Sequence, residues 1–354
     1  MLKRFQDFQA YRKQGKQIIL LFCLDLFILL LALISSLIPM RYSQLFTVGF
    51  LLLDIFCLMY TLVFSKRNSS IIKNLEESFL HNNYGTSVNK IKRFHKLMEE
   101  NLFEYHFQPI IHARTGDIYA YEALMRTNTE VIGMQPVEIL DLAAKENRLY
   151  DIEKYTFYNT LKIMKDNSNT FQTRKLFINS VSSHQLFDED FNLLYQKYGS
   201  LFKDIVIEIT EATLLNDDGI KLLHKRLQKT NFQLALDDYG AGYSNASILL
   251  TSNPNFVKID HSLIHNINVD SKKQHLVSNL VNFANHNQIK IIAEGIESYE
   301  ELEYVISIGV DYIQGFYTAK PNPIIIDTIS EDLLAKIREL NYKHFCDTSE
   351  LMIV

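Results

Sequence analysis

Beyond residue 100, acidic and amide side chains recur at the ends of short apolar runs: Glu122, Asn179, Glu208, the adjacent pair Asp237-Asp238, Glu294 and Gln314, with Lys258 among them. Any one of these alone reads as a solvated edge. Their recurrence on successive runs implies that they converge on one mouth. The carboxylates gathered there repel one another unless neutralised, and a donor set of carboxylate and amide oxygens suits Mg²⁺ or Mn²⁺ better than zinc. The neighbours Asp237 and Asp238 point to two ions, one carboxylate bridging them while the other binds the second. Ions roughly 4 Å apart stabilise the attacking and leaving oxygens of a phosphate ester and acidify a bound water. Lys258, which only donates, is suited to hold that water or a phosphate oxygen. Glu294 is suited to accept its proton. The glycines of Asp238-Tyr239-Gly240-Ala241-Gly242-Tyr243-Ser244 suggest a mobile loop that can approach a substrate closely.

The elements that must position these residues follow from pattern. Strand-like runs are expected at Glu104–His112, Ile118–Met125, Lys175–Val181, Asp204–Thr210, Gln233–Asp237, Phe256–Ile259, Lys290–Ala293 and Tyr312–Phe316. From the second onward each is followed by room for a crossover helix, as at Pro136–Lys165 and Asp217–Lys229, which is how parallel strands are joined. The expected fold class is therefore α/β, a closed (β/α)₈ TIM-like barrel whose active site lies at the strand ends. Only Ala113–Asp117, with Thr115-Gly116 at its turn, separates the first two strands, so that pair must be antiparallel.

Two apolar runs precede this region, Ile18 to about Ile38 and Leu45–Phe64, each about the 20 residues a membrane-crossing helix needs. Basic residues flank both outer ends (Lys3, Arg4, Arg12, Lys13, Lys16; Lys66, Arg67, Lys73), which places both ends on the cytoplasmic side. The expectation is a multi-pass cell-membrane protein in contact with lipid, with Asp25 and Asp54 inside the hairpin. The domains expected are a cytoplasmic segment at 1–17, the hairpin at 18–64, a helical linker at 65–99 and a catalytic domain with a C-terminal extension at 100–354. The linker leaves no room for another enzyme domain. A net charge of −5 without a basic block argues against DNA or RNA binding. Cys23, Cys57 and Cys346 are too dispersed for a disulfide framework or a zinc spacing. His261 and His265 have the i, i+4 spacing of a helical metal pair, but no third ligand follows in the sequence, and the pair is set aside.

From about residue 100 to 325 the chain resembles the EAL family of cyclic di-GMP phosphodiesterases. The resemblance is carried by Gln108-Pro109-Ile110, Glu122-Ala123-Leu124-Met125-Arg126, Asn179, Glu208-Ile209-Thr210-Glu211, Asp237-Asp238-Tyr239-Gly240, Lys258-Ile259-Asp260, Glu294-Gly295-Ile296-Glu297 and Gln314-Gly315-Phe316. It implies that Glu122, Asn179, Glu208, Asp237 and Asp238 are metal ligands and that Lys258 and Glu294 serve the water. By the same resemblance, Gln108, Leu124, Arg126, Asp260, Glu297 and Gln314 would help form the substrate site, and Glu211 would steady the loop after the fifth strand. It also implies hydrolysis of cyclic di-GMP to linear pGpG with Mg²⁺ or Mn²⁺, inhibition by Ca²⁺, a homodimer, and a purely degradative role. Tyr239 stands where the family usually has Phe, and Ala144 where many members carry Glu; neither is a proposed ligand. The rival is a receptor that binds cyclic di-GMP without cleaving it and acts through a partner. Such proteins usually lack a metal ligand, and here the set is complete.

Overall fold

A computed structural model describes residues 89–128, 131–210, 217–241 and 246–346. The apolar runs at 18–38 and 45–64, with Asp25 and Asp54, lie outside the described residues, as do the linker up to residue 88, Glu211 and the loop residues 242–245. The multi-pass membrane location expected above is corrected: among the described residues no helix is long and apolar enough to cross a membrane. The physical reason is visible in the long helix Leu149–Asp166, whose buried stripe occupies one side while Lys154, Lys162, Lys165 and Asp166 break its hydropathy.

Eight strands close into a barrel in sequence order: β1 (Phe103–His112), β2 (Ile118–Thr127), β3 (Lys175–Asn179), β4 (Ile205–Thr210), β5 (Gln233–Tyr239), β6 (Phe256–Ile259), β7 (Lys290–Ala293) and β8 (Tyr312–Ile313). β2 through β8 run parallel, and β1 is antiparallel to both β2 and β8, as the short turn requires. β8 is shorter than its pattern suggests. A Cβ on Gly315 would lie 2.2 Å from the Ile296 carbonyl oxygen, so the backbones touch there and the chain turns out of the sheet. Gln314 N nevertheless still donates to Ala293 O at 2.9 Å.

Side chains alternate across each strand, and the two sets have different tasks. In β4, Ile205, Ile207 and Ile209 belong to the large core between sheet and helices, whereas Val206 belongs to the barrel interior. That interior is filled by Ile110, Ala120, Phe177, Val206, Ala235, Phe256, Ile292 and Tyr312, one residue from each strand. This layer is a packed floor. Helical residues 89–100, expected to be linker, bury Phe94, Leu97 and Met98 in the outer core, and Tyr155 Oη donates to Met98 O at 2.9 Å. The C-terminal extension contributes the helix Glu331–Asn341, which buries Leu333, Ile337 and Leu340, and Asn341 Nδ2 donates to Ala113 O at 2.9 Å beside the β1–β2 turn.

Candidate functional site

Two residues along from each floor residue, the pleat returns the next side chain to the barrel interior. From Phe177, Val206, Ala235, Phe256, Ile292, Tyr312 and Ala120 this step gives Asn179, Glu208, Asp237, Lys258, Glu294, Gln314 and Glu122. On antiparallel β1 the step runs backwards, from Ile110 to Gln108, which is in register with Glu122. Every strand thus supplies one polar residue to a single layer resting on an apolar floor.

Lys258 lies at the centre of that layer, only 1% exposed. Its Nζ is 2.6 Å from Glu208 Oε1, 2.8 Å from Glu294 Oε1, 3.0 Å from Asp237 Oδ1 and 3.3 Å from Glu122 Oε2. Burial works against the ammonium, but the charges of Asp237, Glu122, Glu208 and Glu294 outweigh it and hold its pKa well above the lysine range. Burial pushes Glu208 and Glu294 well above the carboxylate range, in Glu208 reinforced by the Glu122 charge and in both opposed by Lys258. Burial also acts on Glu122, yet Lys258 and hydrogen bonds from Gln314 and Asn179 prevail and lower its pKa. Asp238 stands at the mouth with φ +55°, and desolvation together with the Asp237 charge pushes it up to about 6.

Amides complete the layer. Asn179 Nδ2 donates to Glu122 Oε1 at 2.9 Å, and Gln314 Nε2 to Glu122 Oε2 at 2.7 Å and Gln108 Oε1 at 3.2 Å. Gln108 Nε2 in turn donates to Ala319 O at 3.0 Å. Glu122 is thereby fixed on both oxygens.

The donor set fits hard divalent cations. One ammonium faces the carboxylates of Glu122, Glu208, Asp237 and Glu294, with exposed Asp238 at the mouth beside them, leaving excess negative charge in a largely buried layer. Glu208 Oε2 has no hydrogen-bond partner among the described residues. Oxygens of Asp237, Asp238 and Glu294 approach one another within 4.8 Å, close enough to share an ion.

A cleft opens above this layer, lined by Gln108, Glu122, Asp260, Glu294, Glu297 and Gln314 together with His261 and Phe316. Four of the expected substrate residues, Gln108, Asp260, Glu297 and Gln314, therefore meet around one opening. Leu124 and Arg126 follow Glu122 on the same face of β2 but do not line the cleft; Arg126 Nη1 donates to Met125 O at 2.8 Å. Glu211 lies outside the described residues.

Two positioning residues escaped sequence reasoning. Glu153, 2% exposed, accepts from Ser180 Oγ and Val181 N, both at 2.7 Å, and so anchors the chain where it leaves β3 after Asn179. Its signal was a glutamate on the apolar stripe of a helix, between Ile152 and Thr156. Glu301, also 2% exposed, accepts from Ser298 N, Glu297 N and Asn266 N, tying the loops after β7 and β6 together. Ser298-Tyr299-Glu300-Glu301 has the spacing of a helix capping box, a legible sign of a helix start.

Comparison with known proteins agrees with this geometry. Cyclic di-GMP phosphodiesterase PdeF of Escherichia coli K12 is 30% identical over 285 residues, covering 76% of this chain and 37% of its own length. PdeL of the same organism, also a cyclic di-GMP phosphodiesterase, is 27% identical over 232 residues and 64% of either chain. The chain thus spans well under half of PdeF. Klebsiella pneumoniae BlrP1 in its pH 6 manganese/cy-diGMP complex has a TM-score of 0.58 at 26% identity, covering 64% of this chain and 58% of that one. A standalone EAL protein from Vibrio cholerae O395 in its c-di-GMP-bound form has a TM-score of 0.55 at 27% identity, covering 64% of this chain and 95% of that one. The family model described as EAL domain matches residues 91–321, and the chain belongs to that family.

Proposed function

We propose that this chain is a metal-dependent phosphodiesterase that hydrolyses cyclic di-GMP to linear pGpG. The observation that carries the reading is the polar layer itself, a ring of the Glu122, Glu208, Asp237 and Glu294 carboxylates around buried Lys258, with Asn179 bonded to Glu122 beside it. A phosphodiester is anionic and cannot approach such a ring until its charge is balanced. Glu122, Asn179, Glu208, Asp237 and Asp238 would hold Mg²⁺ or Mn²⁺, two ions, which when bound supply charge neutralisation and Lewis acidity at the phosphate. Asn179 would turn its Oδ1 to that task.

The chain's own groups do the rest. Lys258 donates to the attacking water and fixes its position, and Glu294, whose pKa burial already raises, takes the proton. The water oxygen bonds to phosphorus, the bond from phosphorus to the 3′ oxygen breaks, and the departing 3′ oxygen takes up a proton from solvent. Gln108, Leu124, Asp260, Glu297 and Gln314 hold the dinucleotide. Arg126 swings from the Met125 carbonyl to clamp a phosphate with its planar fork. Glu211 steadies the loop after β5, the active form is a homodimer, and the catalytic part includes the helix at 89–100, which packs on the barrel's outer core, ahead of the stretch from about residue 100 onward. A receptor that only binds has no use for a complete ligand set.

The test is chemical. The full chain incubated with Mn²⁺ and cyclic di-GMP in ¹⁸O-labelled water should yield pGpG carrying the label in its terminal phosphate. Binding of cyclic di-GMP with no pGpG formed would refute hydrolysis in favour of the receptor.

A further inference from the structure

Beside the carboxylate ring lies a group of different chemistry. β6 is followed directly by the helical turn His261–Ile264, whose start is capped by Asp260 Oδ1 accepting from Ser262 N at 2.9 Å. His261, at the start of this turn, and His265, just past its end, lie side by side with ring centroids 5.1 Å apart and planes tilted by 30°. The third member comes from the next strand's loop: Glu297 Oε1 lies 3.9 Å from His261 Nε2, and one donor atom from each of the three falls within 4.8 Å of the others. The sequence could not show this, because Glu297 reaches the pair only when β6 and β7 are neighbours.

The group is supported from outside. A Cβ on Gly295 would lie 2.5 to 2.8 Å from His261 atoms, so the missing side chain is the space the imidazole occupies. Buried Glu301, fixed by Asn266 N at 2.9 Å, places Oε1 3.5 Å from His265 Nδ1. A carboxylate behind one ring nitrogen leaves the other for a metal, the arrangement that orients metal-binding histidines. Two imidazoles and one carboxylate prefer zinc-class ions to Mg²⁺ or Mn²⁺, and bonds of about 2.0–2.2 Å to it require only small rotations of half-exposed side chains.

We propose that His261, His265 and Glu297 form a second metal site, selective for Zn²⁺, on the rim of the cleft. His261 and Glu297 both line that cleft, so an ion there takes Glu297 away from the dinucleotide and slows its entry. This inhibitory consequence rests on the phosphodiesterase reading; the binding site does not.

The full chain, saturated with Mg²⁺ to fill the carboxylate ring, is titrated calorimetrically with Zn²⁺ alone, beside His265→Ala. One Zn²⁺ should bind the wild type, and His265→Ala should weaken it by more than the roughly tenfold that loss of an outer-shell partner costs. Co²⁺ substituted for Zn²⁺ should give a visible four-coordinate spectrum in the wild type and none in the variant. In the hydrolysis assay, Zn²⁺ should inhibit the wild type at concentrations that spare His265→Ala. Superimposable Zn²⁺ isotherms would overturn the site. Different isotherms with equal inhibition would overturn its effect on the cleft. Absence of all hydrolysis would leave the binding result to decide the site by itself.

Discussion

At the residue scale, Lys258 explains how four carboxylates tolerate one another before any cation arrives. It is the sole ammonium bonded to Glu122, Glu208, Asp237 and Glu294 among the described residues. Removing one partner of a buried ion cluster typically costs about 3–5 kcal/mol, because the remaining charges lose compensation. Lys258→Met should therefore lower the melting temperature strongly in EDTA, and Mn²⁺ should restore more stability to the variant than it adds to the wild type. Equal Mn²⁺ stabilisation of both proteins, measured by calorimetric unfolding, would contradict the idea that ammonium and cations neutralise the same ring. The acidic members of this ring were legible because they recur on successive apolar runs, each of which became a strand or its immediate continuation. The fourfold contact of Lys258 was not, since spacing along a chain does not say which inward side chain is central.

At the element scale, function depends on strands that hold register and on helices that hold the loops beyond them. Glu153 is the clearest case: burial raises its pKa from 4.5 to about 7, despite hydrogen bonds from Ser180 and Val181. A carboxyl with a raised folded pKa binds its proton more tightly in the folded state, so its stabilisation is complete below the unfolded value and is lost as pH rises through the folded one. Relative to Glu153→Gln, the wild type should lose on the order of 3 kcal/mol between pH 4.5 and somewhat above 7. A stability difference constant with pH would contradict this. Gly315 sets a second constraint, since a Cβ there would meet the Ile296 backbone at 2.2 Å. Gly315→Ala should cost about 1–3 kcal/mol as overpacking and displace Gln314 from Glu122. Wild-type stability and turnover in that variant would refute the constraint. The expected strand β6, Phe256–Ile259, and β7, Lys290–Ala293, match the structure because each is a short, mostly apolar run bounded by turn signals. The expected end of β8 overshot, because a backbone contact at Gly315 leaves no trace in hydropathy.

At the scale of the whole molecule, the fold assigns one strand face to the helices and the other to a floor beneath the polar layer. That division was legible in outline: eight runs, crossovers between them, and a first pair too close to be anything but antiparallel. The inner and outer faces of both-sides-buried strands were not, because sequences such as Ile205-Val206-Ile207 are apolar on each. The helix at 89–100 read as linker for a related reason. Its stripe of Phe94, Leu97 and Met98 announces a partner without naming it, and the partner is the barrel's own outer core. The Glu297 carboxylate near His261 likewise needed the closed barrel to appear. What the whole arrangement claims is that ions held in the polar layer make the chain a hydrolase. The most direct measurement is pGpG production from cyclic di-GMP as a function of Mn²⁺, in the wild type and Glu122→Ala side by side. The wild type should show a saturable rise in rate, abolished by EDTA, and the variant a loss of at least about a hundredfold, roughly 2.7 kcal/mol of transition-state stabilisation. Equal turnover by Glu122→Ala, or a wild-type rate indifferent to EDTA, would contradict that claim.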